Sequence, residues 1–327
     1  MNTTANSAAP PRGVYCVLGA RSLPYAELAF ESLVRHSREK MSVTLITDGA
    51  DDKKAIEDVL AKLGGGALEN WRVCDQAETD GRALDMYASY PHLAAFRRGH
   101  PCWRKITDPL LFAPPGEEIV LLDPDLYFPN FFTFERTPTQ SLLLMWQRPH
   151  CLLPDETVAA AYRAGVKLAH HTDIGVAQFH NRLELEWLDW LIGQLGGSDL
   201  PRKMHVESIV WAALAMRIRG GYLNPRHWHC WRNTPFKRVA LRFAFPGPQL
   251  LRFEAFRTIK CFHGGGVAKW WLREARERGY FCAPTELVSE SSCRPFEELT
   301  QRTYQRGQRL KRLARRLGFY ALFQPKG

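Results

Sequence analysis

The sequence predicts an α/β protein: a mostly parallel sheet with helices on both faces, followed by a C-terminal helical appendix. Three observations carry this. Short apolar runs alternate with segments of helical periodicity, the signature of strand and helix in succession. The run Leu142–Trp146 is apolar at every position, as suits a strand covered on both faces. From Gln301 onward the chain changes character, with eight Lys and Arg and no acid up to Gly327, so most of the formal net charge of +10 belongs to the tail.

Val14–Leu18 is a first strand ending at Gly19, and Leu23-Pro24 opens a helix with Leu28, Ala29 and Leu33 on its apolar side. Ser42–Thr47 is a second strand, closed by Asp48-Gly49. Ile56, Val59, Leu60 and Leu63 share one helical face, which Gly64-Gly65-Gly66 terminates. Trp71–Cys74, Ile119–Leu122 and Leu142–Trp146 follow as strands. Beyond them, Glu184–Leu195 and Glu207–Ile218 read as helices, and Gly175–Phe179 and Arg257–Phe262 as strands. The expected division is a loose leader over 1–13, a body over 14–283 and a basic amphipathic segment over 284–327.

With 45% hydrophobic and 24% charged residues, disorder is not the expectation. No apolar stretch approaches the roughly 20 residues that span a bilayer, and the start lacks both a basic lead and an apolar core. The eight cysteines include no CxxC pair, which suits reduced thiols. These features predict a cytoplasmic protein.

The stretch LLDPDLYF sets two acids at the end of an apolar run. Residues i and i+2 of a strand point to one side, so Asp123 and Asp125 project together about 7 Å apart from the carboxyl end of their strand, where open α/β sheets bind ligands. Pro124 between them marks where the strand leaves the sheet. Unit charges about 4 Å apart interact by about 4 kcal/mol at an effective dielectric near 20, so two converging carboxylates favour a divalent cation. Oxygen ligands select Mg²⁺ or Mn²⁺. A solvated turn is the plain alternative, but the apolar strand before the triplet and Tyr127-Phe128 after it favour a strand end.

A second constellation is CFHGGGVAKWW, residues 261 to 271. Glycines let backbone N–H groups approach an anion, Lys269 adds a point charge, and the imidazole of His263 can complete a metal's coordination. Together they describe a diphosphate cradle beside a metal. A glycine turn capping a helix, with His263 a core residue, is the alternative.

LLDPDLYF resembles the DxD site of GT-A nucleotide-sugar glycosyltransferases. His263, Gly266, Lys269 and Trp271 are similar in spacing to the HxxGxxKxW signature of glycosyltransferase family 8, the glycogenin and lipooligosaccharide galactosyltransferase group. More weakly, DIGVAQFHN (173 to 181) resembles the family's NxGVxxxN strand with Asp173 in place of Asn, and Glu207-Ser208 stands about where the family has Asp-Gln. The resemblance covers roughly Val14 to Trp271 and implies a Rossmann-like GT-A sheet. It further implies Mn²⁺ (or Mg²⁺) held by Asp123, Asp125 and His263, and a nucleotide-sugar donor whose diphosphate meets Gly266 and Lys269. Lys105, near the basic residue that precedes DxD, joins Gly19, Ala20, Arg21 and Pro124 as candidates for the donor pocket. Asp125, Lys269, Glu207 and Asp173 are the catalytic candidates, and retention of configuration is the implied outcome. The family's base-reading aspartate after strand one is replaced by Gly19, Ala20 and Arg21, which leaves UDP less specified than a nucleotide diphosphate.

Smaller signals complete the reading. HWHCW (227 to 231) has too few ligands for a zinc site by itself, and Trp187, Trp190, Trp211 and Trp228 suit a core better than a sugar platform. In the tail, Leu310, Leu313, Leu317 and Tyr320 share one face ringed by Arg309, Arg312, Arg315 and Arg316, with Phe319 and Phe323 near the end. That is the profile of a helix lying on an anionic membrane surface, so peripheral attachment to the inner membrane through 301–327 is expected, a glycan or glycolipid is the expected acceptor, and no nucleic acid is. Two rivals remain: a sugar nucleotidyltransferase, disfavoured by the sparse glycines after strand one, and an inactive nucleotide-sugar-binding relative.

Overall fold

A computed structural model describes residues 10–63 and 66–319; the leader residues 1–9, Gly64-Gly65, Tyr320 and Phe323 lie outside the described residues. Thirteen strands are described: β1 (Arg12–Val17), β2 (Met41–Ile46), β3 (Leu68–Cys74), β4 (Glu118–Leu122), β5 (Leu126–Tyr127), β6 (Phe131–Phe132), β7 (Leu142–Trp146), β8 (Thr172–His180), β9 (Gly220–Tyr222), β10 (Trp228–Cys230), β11 (Cys261–His263), β12 (Glu286–Leu287) and β13 (Arg294–Pro295). Eleven of them form one sheet in the order β3-β2-β1-β4-β8-β7-β10-β11-β5, with β9 on β7 and β13 beyond it.

The strands β3, β2, β1 and β4 are mutually parallel, as are β7, β10 and β11. Strand order reverses at β1, whose neighbours are β2 on one side and β4 on the other. Such a reversal opens a crevice at the carboxyl ends of the strands. β8 lies antiparallel between β4 and β7 and joins the two parallel blocks.

Both faces of the sheet are covered, as the uninterrupted apolar strands predict. Tyr15, Leu121, Leu144 and Ala177 pack into one core, and Val14, Cys16, Val120, Leu122, Leu143 and Val176 into another. This is the two-residue alternation of strands sandwiched between helices. The helix Val206–Ile218 is buried over most of its circumference, which explains its lack of a polar stripe. Trp211 and Trp228 are fully buried core residues, while Trp190 is 43% exposed.

One predicted strand is shorter than expected. Of Arg257–Phe262 only the end is extended, because Asn130 Nδ2 donates to the carbonyls of Phe256 and Ile259 (2.6 and 2.7 Å) and Lys260 turns inward to Glu135 (2.8 Å). Backbone groups that a neighbouring strand would satisfy are satisfied by side chains instead.

The segment after 283 is strapped to the body before it becomes a helix. β12 pairs with β6, β13 pairs with β9, and Leu299 and Tyr304 are buried, Tyr304 donating to Asp155 (2.7 Å). The rest of the helix Gln301–Arg316 stands off the body, with Leu310 and Leu313 more than half exposed and Leu317 beyond it likewise. No helix among the described residues is long and apolar enough to cross a membrane.

Candidate functional site

At the carboxyl end of β4 the chain turns through Asp123-Pro124-Asp125. The N–H of Asp123 donates to Gly175 O (2.9 Å) on β8, and the N–H of Gly264 donates to Asp125 O (2.9 Å). Both ends of the triplet are thus fixed by backbone. β11 ends on His263, whose Nε2 lies 3.2 Å from Asp125 Oδ1 and 3.9 Å from Asp123 Oδ2. One ligand atom each from Asp123, Asp125 and His263 falls within 4.8 Å of the others. Two carboxylates and one imidazole so disposed fit a divalent cation that prefers oxygen.

Behind the imidazole stands Asp173. Its Oδ1 lies 2.8 Å from His263 Nδ1 and accepts from the N–H of Gly175 (2.9 Å), and its Oδ2 accepts from the Cys230 thiol (3.3 Å). A carboxylate that holds one ring nitrogen fixes the tautomer and presents the other nitrogen to a metal. Gly175 is required here for space, since a Cβ would come within 2.6 Å of His263 Nδ1.

The cations arrive from elsewhere. Lys105, on the buried turn Arg104–Thr107, puts Nζ 2.6 Å from Asp123 Oδ1 and 3.7 Å from Glu207 Oε1. Lys269 Nζ lies 3.4 Å from Asp125 Oδ2 and 4.7 Å above the ring of Tyr25. Burial alone would raise the Asp125 carboxyl, but His263 and Lys269 outweigh it and hold it well below the usual range. Burial and the charge of Asp125 raise Asp123 against the pull of Lys105. Glu207 is fully buried, and burial pushes it up to about 8 despite Lys105. His263 is raised well above its ordinary value, because Asp173 and Asp125 overcome the cost of burying its proton. The pocket demands positive charge.

The acids open on a cleft of about 310 Å³ lined by Gly19, Tyr25, Asp48, Cys102, Pro124 and Lys269, among others. Of the sequence candidates, Gly19, Lys105, Asp123, Pro124, Asp125 and Lys269 line it. Ala20 instead donates its N–H to Asp52 (3.0 Å), and Arg21 is exposed to solvent. Gly266 is exposed at φ +69, in the left-handed region that glycine tolerates, and turns the chain toward Lys269. Asp173 and Glu207 stand behind this wall, one under His263 and the other under Lys105. Cys230 of HWHCW belongs to the Asp173–His263 network, while His229 faces the other way and pairs with Glu254 (3.0 Å). Tyr25, Asp48 and Met204 went unnoticed in the sequence as cleft residues; Asp48, an acid at the carboxyl end of a parallel strand, is the one that carried a signal.

No family model and no curated protein matches the sequence. Among solved structures, the apo form of mouse xyloside xylosyltransferase 1 superposes with a TM-score of 0.50 at 12% identity, covering 79% of this chain and 98% of that one. The chain has the GT-A fold. Weaker likenesses are to the glycosyltransferase GlyE of Streptococcus pneumoniae TIGR4 (TM-score 0.46, 14% identity, 84% of this chain and 61% of that one) and to the galactosyltransferase LgtC in complex with donor and acceptor sugar analogs (0.45, 15%, 82% and 92%). The crevice of this GT-A sheet is where the two aspartates and the histidine meet.

Proposed function

We propose that the protein is a metal-dependent, retaining glycosyltransferase that moves a sugar from a nucleotide-sugar, UDP-linked, to a glycan or glycolipid acceptor. The observation that carries this is the meeting of Asp123, Asp125 and His263 at the mouth of a cleft that also holds two lysines. The GT-A likeness to mouse xyloside xylosyltransferase 1 supports glycosyl transfer as the reaction.

A Mn²⁺ or Mg²⁺ ion held by Asp123, Asp125 and His263 would stabilise the charge that develops on the departing nucleoside diphosphate. The chain's own groups do the rest. Asp173 keeps the His263 ring oriented, and Gly175 leaves room for it. Lys105 neutralises Asp123 from below, so that the acids can stay ionised in a dry site. Lys269, with 24% of its side chain exposed, offers its ammonium to a diphosphate lying along the cleft. Tyr25 supplies an aromatic wall beside it.

The exposed leucines and arginines of the helix Gln301–Arg316 suit peripheral contact with an anionic inner-membrane surface, which would bring the cleft to a lipid-borne acceptor. Purified protein incubated with a panel of nucleotide-sugars and Mn²⁺ should hydrolyse one donor slowly in the absence of acceptor, and Asp125→Ala should abolish this. Metal-independent turnover would refute the reading, and release of pyrophosphate from a nucleoside triphosphate and a sugar phosphate would replace it with nucleotidyl transfer.

A further inference from the structure

We propose that the helix Pro235–Arg242 and the turn after it form a docking surface for an anionic lipid bilayer, separate from the C-terminal tail and set beside the cleft. The purpose of such contact, presentation of a lipid-borne acceptor, rests on the function proposed above; the contact itself does not. Phe236, Val239 and Phe243 recur at i, i+3 and i+7 and so share one side of the helical path. That side is bare, with Phe236 69% and Phe243 79% exposed and Val239 exposed as well. Ala240 and Leu241 form the inward side, packed on the core of Leu250, Leu251 and Phe256. Phe245 and Phe253, the latter 68% exposed, extend the apolar surface past the helix. Single exposed apolar side chains are ordinary, but a group of them marks an interaction surface.

Charge selects the occupant. From Arg232 to Arg257 the chain carries six Lys and Arg and a single acid, Glu254. That acid is turned inward, where it accepts from Lys237 and pairs with His229 (3.0 Å). Arg232, Arg252 and Arg257 stay exposed, the first over the ring of Trp146 (5.6 Å) and the second over that of Tyr280 (5.4 Å). Phenylalanines beside arginines, with the one carboxylate neutralised, suit burial at the headgroup boundary of an anionic leaflet. A second copy of the chain docked through the same face would set these arginines against one another.

The surface is fastened to the wall of the cleft. A Cβ on Gly247 would come within 2.2 Å of the Trp271 ring, so the turn after the helix lies flat on that tryptophan. Trp271 meets Trp231 edge-on (5.7 Å), and Lys237 Nζ lies over Trp231 (3.7 Å). The short helix Ala268–Trp271 also carries Lys269 and the exposed Trp270, which packs edge-on against Tyr25 of the cleft (5.0 Å). A bilayer met by the phenylalanines therefore lies beside the diphosphate side of the cleft. The tail tethers the protein, and this second contact fixes which side of it faces lipid.

Full-length protein should co-sediment with vesicles of phosphatidylcholine and phosphatidylglycerol, more weakly with phosphatidylcholine alone, and less as salt rises. The paired substitution Phe236→Ser and Phe243→Ser, both at exposed positions, should lower the partition coefficient at least about tenfold. It should do so again in a Leu310→Ser, Leu313→Ser background, where the tail's own contact is weakened. Donor hydrolysis without vesicles should be unchanged by the phenylalanine pair. Native protein that bound vesicles by way of these phenylalanines but hydrolysed no donor would support the contact while removing the transferase reading. Equal partition of the native and Phe→Ser proteins would overturn the proposal, as would a dimer in vesicle-free buffer that the Phe→Ser pair dissolves, which would assign the surface to a second copy.

Discussion

Two clusters of buried charge lie a short distance apart, and they are built to opposite ends. Around Asp108, fully buried, every lone pair is answered: Oδ1 accepts from Arg97 Nε (2.7 Å) and Thr107 Oγ1 (2.9 Å), and Oδ2 from Arg104 Nε (2.7 Å) and Arg97 Nη2 (3.3 Å). Arg104 continues to Asp48 (2.7 Å) and to the carbonyl of Thr47 (3.3 Å). Asp108 itself has no lone pair left for a ligand. Around Asp123 and Asp125, four carboxylates including Asp173 and Glu207 face two lysines and one imidazole, and the carboxylates of the DxD pair face a cleft. Saturated buried ions hold a fold together, and unsaturated ones on a cavity wall wait for a partner.

That contrast can be broken by exchange of roles. Asp125→Asn should lower donor turnover at least about a thousandfold, since several kcal/mol of metal-derived charge stabilisation is lost, while the urea midpoint falls less than in Asp108→Ala; a normal rate in this variant would erase the distinction. Asp108→Ala should do the reverse. Removing one partner from a buried ion cluster costs about 3–5 kcal/mol, read as a lowered urea midpoint, with turnover per folded molecule preserved.

Asp173→Asn sharpens the comparison from within the cleft cluster. The amide can no longer hold His263 as a carboxylate does, and Mn²⁺ titration of the rate should show affinity weakened by about 10- to 100-fold with little change in stability. Equal affinities would reduce Asp173 to a packing role.

The smallest effect concerns a group that avoids charge altogether. Burial, aided by Lys311 and the neighbouring histidines, depresses His150 to about 4. Its unfolded form takes up a proton near 6.5, so between these values the unfolded chain binds more protons and stability rises with pH. This contribution is complete above about 6.5 and is lost as pH falls toward 4. In chelator, stability should drop by about 1–2 kcal/mol across that window, and His150→Gln should flatten the fall; an unchanged profile would mean that His150 is free to ionise in the fold.

Much of this architecture was legible in the chain. An apolar strand followed by Asp-Pro-Asp marks its own end, and three glycines after His263 mark another, so both halves of the cleft could be located by local pattern. What local pattern cannot carry is adjacency. Asp173 could be named a catalytic candidate only through the resemblance, because nothing nearby in sequence reveals that β8 runs antiparallel beside β4 and sets it behind His263. The place of Glu207 under Lys105 is equally hidden, because its helix is buried nearly all round by what packs on it. Tyr25 joins the cleft from the helix Leu23–His36 through packing alone. The Arg97–Asp108–Arg104 knot was half legible: Arg104 and Asp108 stand four residues apart, the spacing of a helical ion pair, whereas Arg97 reaches them from a separate helix.

β8 carries more than its length suggests. It bonds to β4 and β7, positions Asp173 and Gly175 against His263, and begins where His170 and His171 stack. Because side chains alternate, a slip of one residue would set Ile174 where Gly175 leaves room and turn Asp173 to the opposite face. Loops elsewhere can lengthen or shorten in the course of evolution; this ribbon works as a ruler, and a ruler with a missing mark would still be rigid while measuring everything wrongly.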